Sequence, residues 1–167
     1  FALPDDDLAV AKRQGRLHRN FQGYSTQPDC DLISFGVSAI GRVGNTYSQN
    51  AKTLEEYYDA INLGHLPIVR GLALSRDDLV RRAVIMAIMC QGELQYEAIE
   101  LAYMIDFKSY FANELELLAE QENTGMVVLE ENGLQVTDMG WFFVRAIAML
   151  FDRYLQTDVV MYPGYSG

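Results

Sequence analysis

Apolar residues recur at helical spacing through most of the chain after residue 50 and hardly at all between Leu17 and residue 50. Near the N-terminus, Asp5-Asp6-Asp7 precede Leu8-Ala9-Val10-Ala11, and Lys12-Arg13 follow. Acid first and base last suits the helix dipole, so the pattern predicts a helix over about 5–17. Phe21 to Thr26 reads as a polar loop. Asp31 to Ile40 reads as a mainly apolar strand, and Gly36, Gly41 and Gly44 either make turns or let backbone approach a ligand closely. Thr53 to Asn62 is predicted helical with Glu55 and Glu56 at its start, and Pro67 keeps Leu66–Val69 extended. Ser75 and Asp78 stand at capping-box spacing, Leu79, Ala83, Met86, Ala87 and Cys90 fall on one face, and Gly92 provides a stop. A short helix follows over Tyr96–Ala102. Phe107, Tyr110, Phe111, Leu115 and Leu118, recurring at three and four, predict another over 106–121. Met126–Leu129, Glu130-Glu131-Asn132-Gly133 and Leu134–Val136 read as a hairpin, because Asn-Gly between apolar runs is a strong turn signal. Thr137 caps a last helix over about 138–155, with Met139, Phe142, Phe143, Ala146, Met149 and Leu150 on its buried face.

These elements predict a mainly α (α+β) chain. Helices, a hairpin and a closing helix give a winged-helix-like arrangement over residues 51–155, with a separate region over 1–50 and a Gly/Tyr/Pro tail over 156–167. Half of the 167 residues are apolar, which suits a folded core and argues against disorder. The longest uncharged apolar run, Ala83 to Cys90, is far short of the roughly 20 residues that span a bilayer. No export signal is seen. A cytoplasmic monomer that avoids membranes is expected. The chain starts at Phe1 rather than Met, so a processed chain or a fragment is expected.

Charge sharpens the division. The chain carries 13 basic and 23 acidic side chains, a net charge of −10. Residues 1–50 hold five of each sign, whereas residues 51–167 hold eight basic and eighteen acidic ones. Winged helices often bind DNA through a recognition helix. Here that helix sets Lys108 against Asp106, Glu114, Glu116 and Glu120, and the wing tip is Glu130-Glu131. Phosphate contacts come mainly from Lys and Arg, so nucleic acid is not expected as a partner.

Candidate chemistry is sparse. His18 and His65 have no second His, Cys or carboxylate at ligand spacing, and Cys30 and Cys90 form no CxxC, so no metal site is expected. No nucleophilic triad, dinucleotide fingerprint or P-loop occurs, and no catalytic residue is assigned. Arg42 follows the apolar stretch and suits a carboxylate in a cleft, since a guanidinium pairs bidentately with one; a place on the rim is the alternative.

Two runs are distinctive: His18-Arg19-Asn20-Phe21-Gln22-Gly23-Tyr24-Ser25-Thr26-Gln27, and Asp31-Leu32-Ile33-Ser34-Phe35-Gly36-Val37-Ser38-Ala39-Ile40. With Phe1–Asp6, Tyr47–Asn50, Arg70–Leu74, Arg76-Asp77-Asp78 and Gly133–Thr137, they resemble the C-terminal part of the oxygen-independent coproporphyrinogen III oxidase family of radical S-adenosylmethionine enzymes. The resemblance covers about residues 1–155. It implies that residues 1–50 end an incomplete TIM-like barrel and that the helical domain caps its open face. It implies oxidative decarboxylation of two propionates of coproporphyrinogen III, giving protoporphyrinogen IX in haem biosynthesis. A 4Fe-4S cluster and S-adenosylmethionine would serve the full-length protein. The three cluster cysteines would lie upstream of this chain, so no cofactor is expected tightly bound to it, and alone it is expected to be inactive. The family motif implies that Phe21, Gln22 and Ile40 lie beside S-adenosylmethionine, with Gly23, Tyr24 and Arg42 as neighbours. Two alternatives stand beside this reading. One is the related haem-chaperone class, which carries a Tyr-Trp step near this position where this chain has Gly23-Tyr24. The other is a winged-helix module for protein interaction, which needs an exposed apolar patch on 76–155.

Overall fold

The computed structural model describes residues 2–27 and 30–155, so Phe1 and the expected tail over 156–167 lie outside the described residues. Asp6 caps helix α1 (Asp7–Arg13) by accepting from the Leu8 N–H at 2.8 Å, with Asp7 in the first turn and Lys12 and Arg13 in the last. The helix is shorter than the 5–17 expected, because Gly15 turns the chain with φ +67. The stretch read as a polar loop is a hairpin. Strands β1 (His18–Asn20) and β2 (Gly23–Ser25) pair antiparallel, with Phe21-Gln22 at the turn.

The expected strand over 31–40 is also corrected. Those residues form an irregular strap that makes one bridge, Leu32 to Arg42. Buried Asn50 holds the strap by donating from Nδ2 to the carbonyls of Gly36 (3.0 Å) and Ser34 (3.4 Å). The regular strands come later: β3 (Ile40–Val43), β4 (Thr46–Asn50) and, after helix α2 (Leu54–Asn62), β5 (Ile68–Ala73), paired in the order β3-β4-β5.

Helix α3 (Arg76–Gln91) opens on the expected capping box. Ser75 Oγ accepts from the Asp78 N–H, and the Ser75 N–H donates to Asp78 Oδ2 at 2.8 Å. Gly92 closes it in the left-handed conformation, φ 73. Its deepest face is Val80, Val84 and Ile88, one position round from the face expected. Strand β6 (Glu93–Gln95) and helix α4 (Tyr96–Tyr103) follow. The helix expected over 106–121 is two, α5 (Phe107–Tyr110) and α6 (Ala112–Asn123), broken at Phe111, where φ is −111 and ψ 29. The break turns Phe107, Phe111 and Leu118 into one core.

Strands β7 (Val127–Glu130) and β8 (Gly133–Val136) form the expected hairpin, and β6 joins the free edge of β8. Gly133 has an unexpected reason to be glycine. It pairs with Gln95, and a Cβ there would meet the Leu94 carbonyl. Thr137 does cap the next helical segment, accepting from the Gly140 N–H at 3.0 Å. The expected continuous helix is instead a 3-10 turn (Gly140–Phe143) followed by α7 (Val144–Met149). The change of pitch shifts the buried face to Val144, Ile147, Ala148 and Phe151, and leaves Met139, Phe142, Phe143 and Met149 exposed.

The protein is therefore mixed α and β, with three small antiparallel sheets among the described residues. The main core lies in residues 80–151. A file of rings runs through it: Tyr96 stacks on Phe107 (centroids 4.3 Å apart), Phe107 meets Phe111 (4.7 Å), and Phe111 meets Phe151 edge-on (5.3 Å). A second small cluster, Ala11, Leu17 and Cys90, fastens α1 to α3. Lys12 adds a cation–π contact, its Nζ 3.4 Å from the centroid of Trp141. Phe107→Ala is expected to cost about 3–5 kcal/mol of unfolding free energy in urea. Phe142→Ala, at a site 77% exposed, is expected to stay within about 0.5 kcal/mol.

Candidate functional site

A cleft of about 840 Å³ lies between the β3-β4-β5 sheet, the β1–β2 hairpin, helix α3 and the segment after α7. Its sheet wall follows from pairing register. Leu32 bridges Arg42, Arg42 pairs with Tyr47, and Tyr47 with Leu72. Residues opposite one another share a face, so these four form a row across the sheet, and all four line the cleft. Helix α3 supplies the facing wall through Arg82, Ile85, Met86 and Met89. The walls meet where Arg82 Nε donates to Tyr47 Oη at 3.1 Å. Tyr24 Oη donates to the Met89 carbonyl at 3.1 Å and docks the hairpin on α3.

The residues implied by the resemblance are partly brought together. Phe21 lines the cleft from the hairpin turn, 57% exposed, with its ring edge-on to Tyr47 at 5.2 Å. Ile40 is not among the lining residues, but it sits two positions from Arg42 on β3 and so on the same sheet face. Gln22 is exposed at the turn, its N–H held by Asn20 Oδ1 at 2.8 Å. Gly23 starts β2 at φ 132, in backbone space that favours glycine. Arg42 lines the cleft and donates to the Cys30 carbonyl at 2.9 Å, and His18 is on the same lining. His65 is not.

The cleft's far end is built on ion pairs. Arg81 meets Asp77 (2.9 Å) and Glu114 (2.7 Å), and Arg153 meets Asp77 (2.8 Å) and Asp78 (3.4 Å). Burial opposes ionisation of Asp77, but hydrogen bonds from Tyr110, Arg153 and Arg81 outweigh it and hold the carboxyl below its ordinary 3.8. Burial pushes the Cys90 thiol up to about 11, against the pull of Arg19 and Arg82, so it is a core group rather than a nucleophile. Among the described residues no group of three His, Cys, Asp or Glu is placed to hold a metal ion, and the two cysteines are unpaired, one exposed and one buried. These residues do not fit an iron–sulfur cluster. No helix among the described residues is long and apolar enough to cross a membrane. Arg19, from the distinctive run over 18–27, also lines the cleft, as do Arg82 and Arg145, which no sequence motif singles out. Only the fold assembles them.

A group whose folded pKa is depressed gives stability that is complete above its unfolded value and is lost as pH falls through the folded one. Asp77 is such a group, so thermal midpoints measured from pH 6 downward should drop more steeply below about 3.8 in the wild type than in Asp77→Asn.

Residues 74–143 match the family model described as the HemN C-terminal domain. The oxygen-independent coproporphyrinogen III oxidase of Escherichia coli is 49% identical over 161 residues, covering 96% of this chain and 35% of that protein. Its counterpart in Synechocystis is 47% identical over 160 residues, covering 93% and 34%. The solved structure of the Escherichia coli protein, described as a radical SAM enzyme, superposes with a TM-score of 0.89 over 92% of this chain and 36% of that one. The chain thus spans about a third of the length of these two relatives. In sequence and in fold it corresponds to the C-terminal part of the oxygen-independent coproporphyrinogen III oxidases.

Proposed function

We propose that the chain is the C-terminal part of an oxygen-independent coproporphyrinogen III oxidase and serves oxidative decarboxylation of coproporphyrinogen III to protoporphyrinogen IX. One observation carries this. The likeness runs through the hairpin and sheet before residue 74 as well as through the matched domain. The haem-chaperone alternative is disfavoured by the β1–β2 hairpin, which has no tryptophan; Trp141 is the chain's one tryptophan and packs with α1.

On this reading, residues 1–50 end the barrel. The pairing of β4 with β5 carries that unit on to Ala73. Helix, short strand, helices and hairpin over 76–136, with β6 added to β8, are a winged-helix cap. S-adenosylmethionine and a 4Fe-4S cluster supply the radical chemistry when bound. The cluster takes its ligands from elsewhere in the protein. Phe21 and Ile40, on one face of the sheet, offer apolar surface to the nucleoside, with Gln22 and Gly23 beside them. This chain's part is to orient the substrate and exclude water. A cytoplasmic monomer with reduced cysteines suits that role.

The test is a chimera in which this chain replaces the matching third of the Escherichia coli enzyme. Protoporphyrinogen formation within about tenfold of the parent is expected. A folded chimera with its cluster bound and no turnover would overturn the reading. In that chimera Ile40→Asp should weaken S-adenosylmethionine binding about tenfold or more, by setting a charge against an apolar contact. Unchanged affinity would remove Ile40 from the site. The 167-residue chain alone should release no 5′-deoxyadenosine after reconstitution with iron and sulfide.

A further inference from the structure

Leu32 to Val37 carry a strand pattern, yet the strap they belong to makes a single bridge instead of a ladder. Burial of its own side chains does not explain that path, since Ile33 is 70% and Phe35 84% exposed. Two of its residues hold left-handed backbone, Gly36 at φ 100 and Ser38 at φ 56. A residue other than glycine is strained there and persists only where its surroundings over-determine it. Here the surroundings are a polar clamp. Asn50, at the end of β4, is buried and gives its side-chain amide to the Gly36 and Ser34 carbonyls. Tyr57 Oη, from α2, accepts from the Gly36 N–H at 3.1 Å. The Ser38 N–H donates to the Ala51 carbonyl at 2.7 Å, and the Ser38 carbonyl accepts from Gln49 Nε2 at 3.3 Å. The clamp ends on Ile40. The Ala39 carbonyl accepts from the Asn50 N–H at 3.0 Å, and the Ile40 carbonyl accepts from Ser34 Oγ. Gly41 lies so close to the strap that a Cβ there would meet the Leu32 carbonyl at 2.9 Å. The backbone of Ile40 is thus fixed on both sides, while the residue itself is only half-buried.

We propose that Asn50, assisted by Tyr57, is a positioning residue for S-adenosylmethionine: the two set the path of residues 34–39 and so hold Ile40 where its side chain meets the nucleoside. This rests on the function proposed above and adds to it the residues that keep that part of the site in shape. Both act through the strap, because their polar atoms are bonded to its backbone. A half-buried apolar side chain on a fixed backbone fits the flat face of a base, and such a contact holds its place only when hydrogen bonds behind it lock the support. An uncharged amide suits this role, since it satisfies two carbonyls in a buried place without the desolvation cost of an ion.

Amide hydrogen exchange in the 167-residue chain tests the clamp itself. Asn50→Ala should speed exchange at Gly36 and Ser38 about tenfold or more, with Val84 and Ile88 in the main core hardly changed. Unchanged exchange along the strap would overturn the proposal. Equilibrium dialysis against S-adenosylmethionine, on the chimeric enzyme with its cluster bound, tests the consequence. Asn50→Ala should weaken binding about tenfold, and Tyr57→Phe, which removes only the hydroxyl, about threefold. At saturating S-adenosylmethionine the KM for coproporphyrinogen should move less than about twofold, because the strap serves one ligand. Losses shared equally by both ligands would mark a general structural role and overturn the assignment, as would folded variants with unmoved affinity. If Asn50→Ala does not fold, Tyr57→Phe decides alone. A parent chimera that turns over, beside variants with unmoved affinity, sinks this assignment and leaves the function standing. A parent chimera with its cluster bound and no turnover sinks the function itself.

Discussion

Helix α3 has to satisfy two environments at once, and most of the structure depends on how it does so. Val80, Val84 and Ile88 are wholly buried in the main core, packed with the ring file that runs from Tyr96 to Phe151. On another side Arg82, Ile85, Met86 and Met89 form a wall of the cleft. A helix clad in apolar residues on most of its circumference has no solvent face to tolerate rotation. Its rotation is therefore fixed by packing, and with it the positions of the cleft's side chains. The capping box at Ser75 and the left-handed Gly92 set its two ends, which fixes its position along the axis. Gly92 also abuts Trp141, which meets Lys12 of α1 as well, so the helix end, the 3-10 turn and the N-terminal helix share one joint.

Ion pairs finish what packing begins. Arg81 and Glu114 are mostly withdrawn from water, with side chains 16% and 7% exposed. Removing two charges from water is costly, so the pair adds little net stability over an apolar replacement. What it adds is a single geometry: Arg81 also bonds the Phe151 carbonyl, and Asp77 gathers Tyr110 and Arg153. Helices α3, α5 and α6 and the chain after α7 are thereby held in one register at the mouth of the cleft.

What the sequence made legible was what local chemistry dictates. Ser75, Asp78 and Gly92 mark α3 because a cap and a left-handed stop are properties of a few neighbouring residues. The hairpin over 127–136 was legible for the same kind of reason, although Gly133 is there to let β6 approach rather than to shape the turn. The β3-β4-β5 sheet was not legible. Its strands read Ile-Gly-Arg-Val and Thr-Tyr-Ser-Gln-Asn, polar and glycine-containing, whereas the more apolar Leu32–Val37 next to them carries the stronger strand pattern. Asn50 and the bridge at Arg42 decide that contest through contacts distant in sequence. The face of the last helix failed for a related reason: a 3-10 turn changes the pitch, so a register read at 3.6 residues per turn puts Phe142 inside when it is outside. Phe21, Gln22, Gly23 and Ile40 came from resemblance rather than physics. Of the cleft arginines, only Arg42 had a chemical reason to be singled out. Positions 19, 82 and 145 are too far apart in the chain for any helix or strand period to relate them, and only the tertiary fold makes them neighbours.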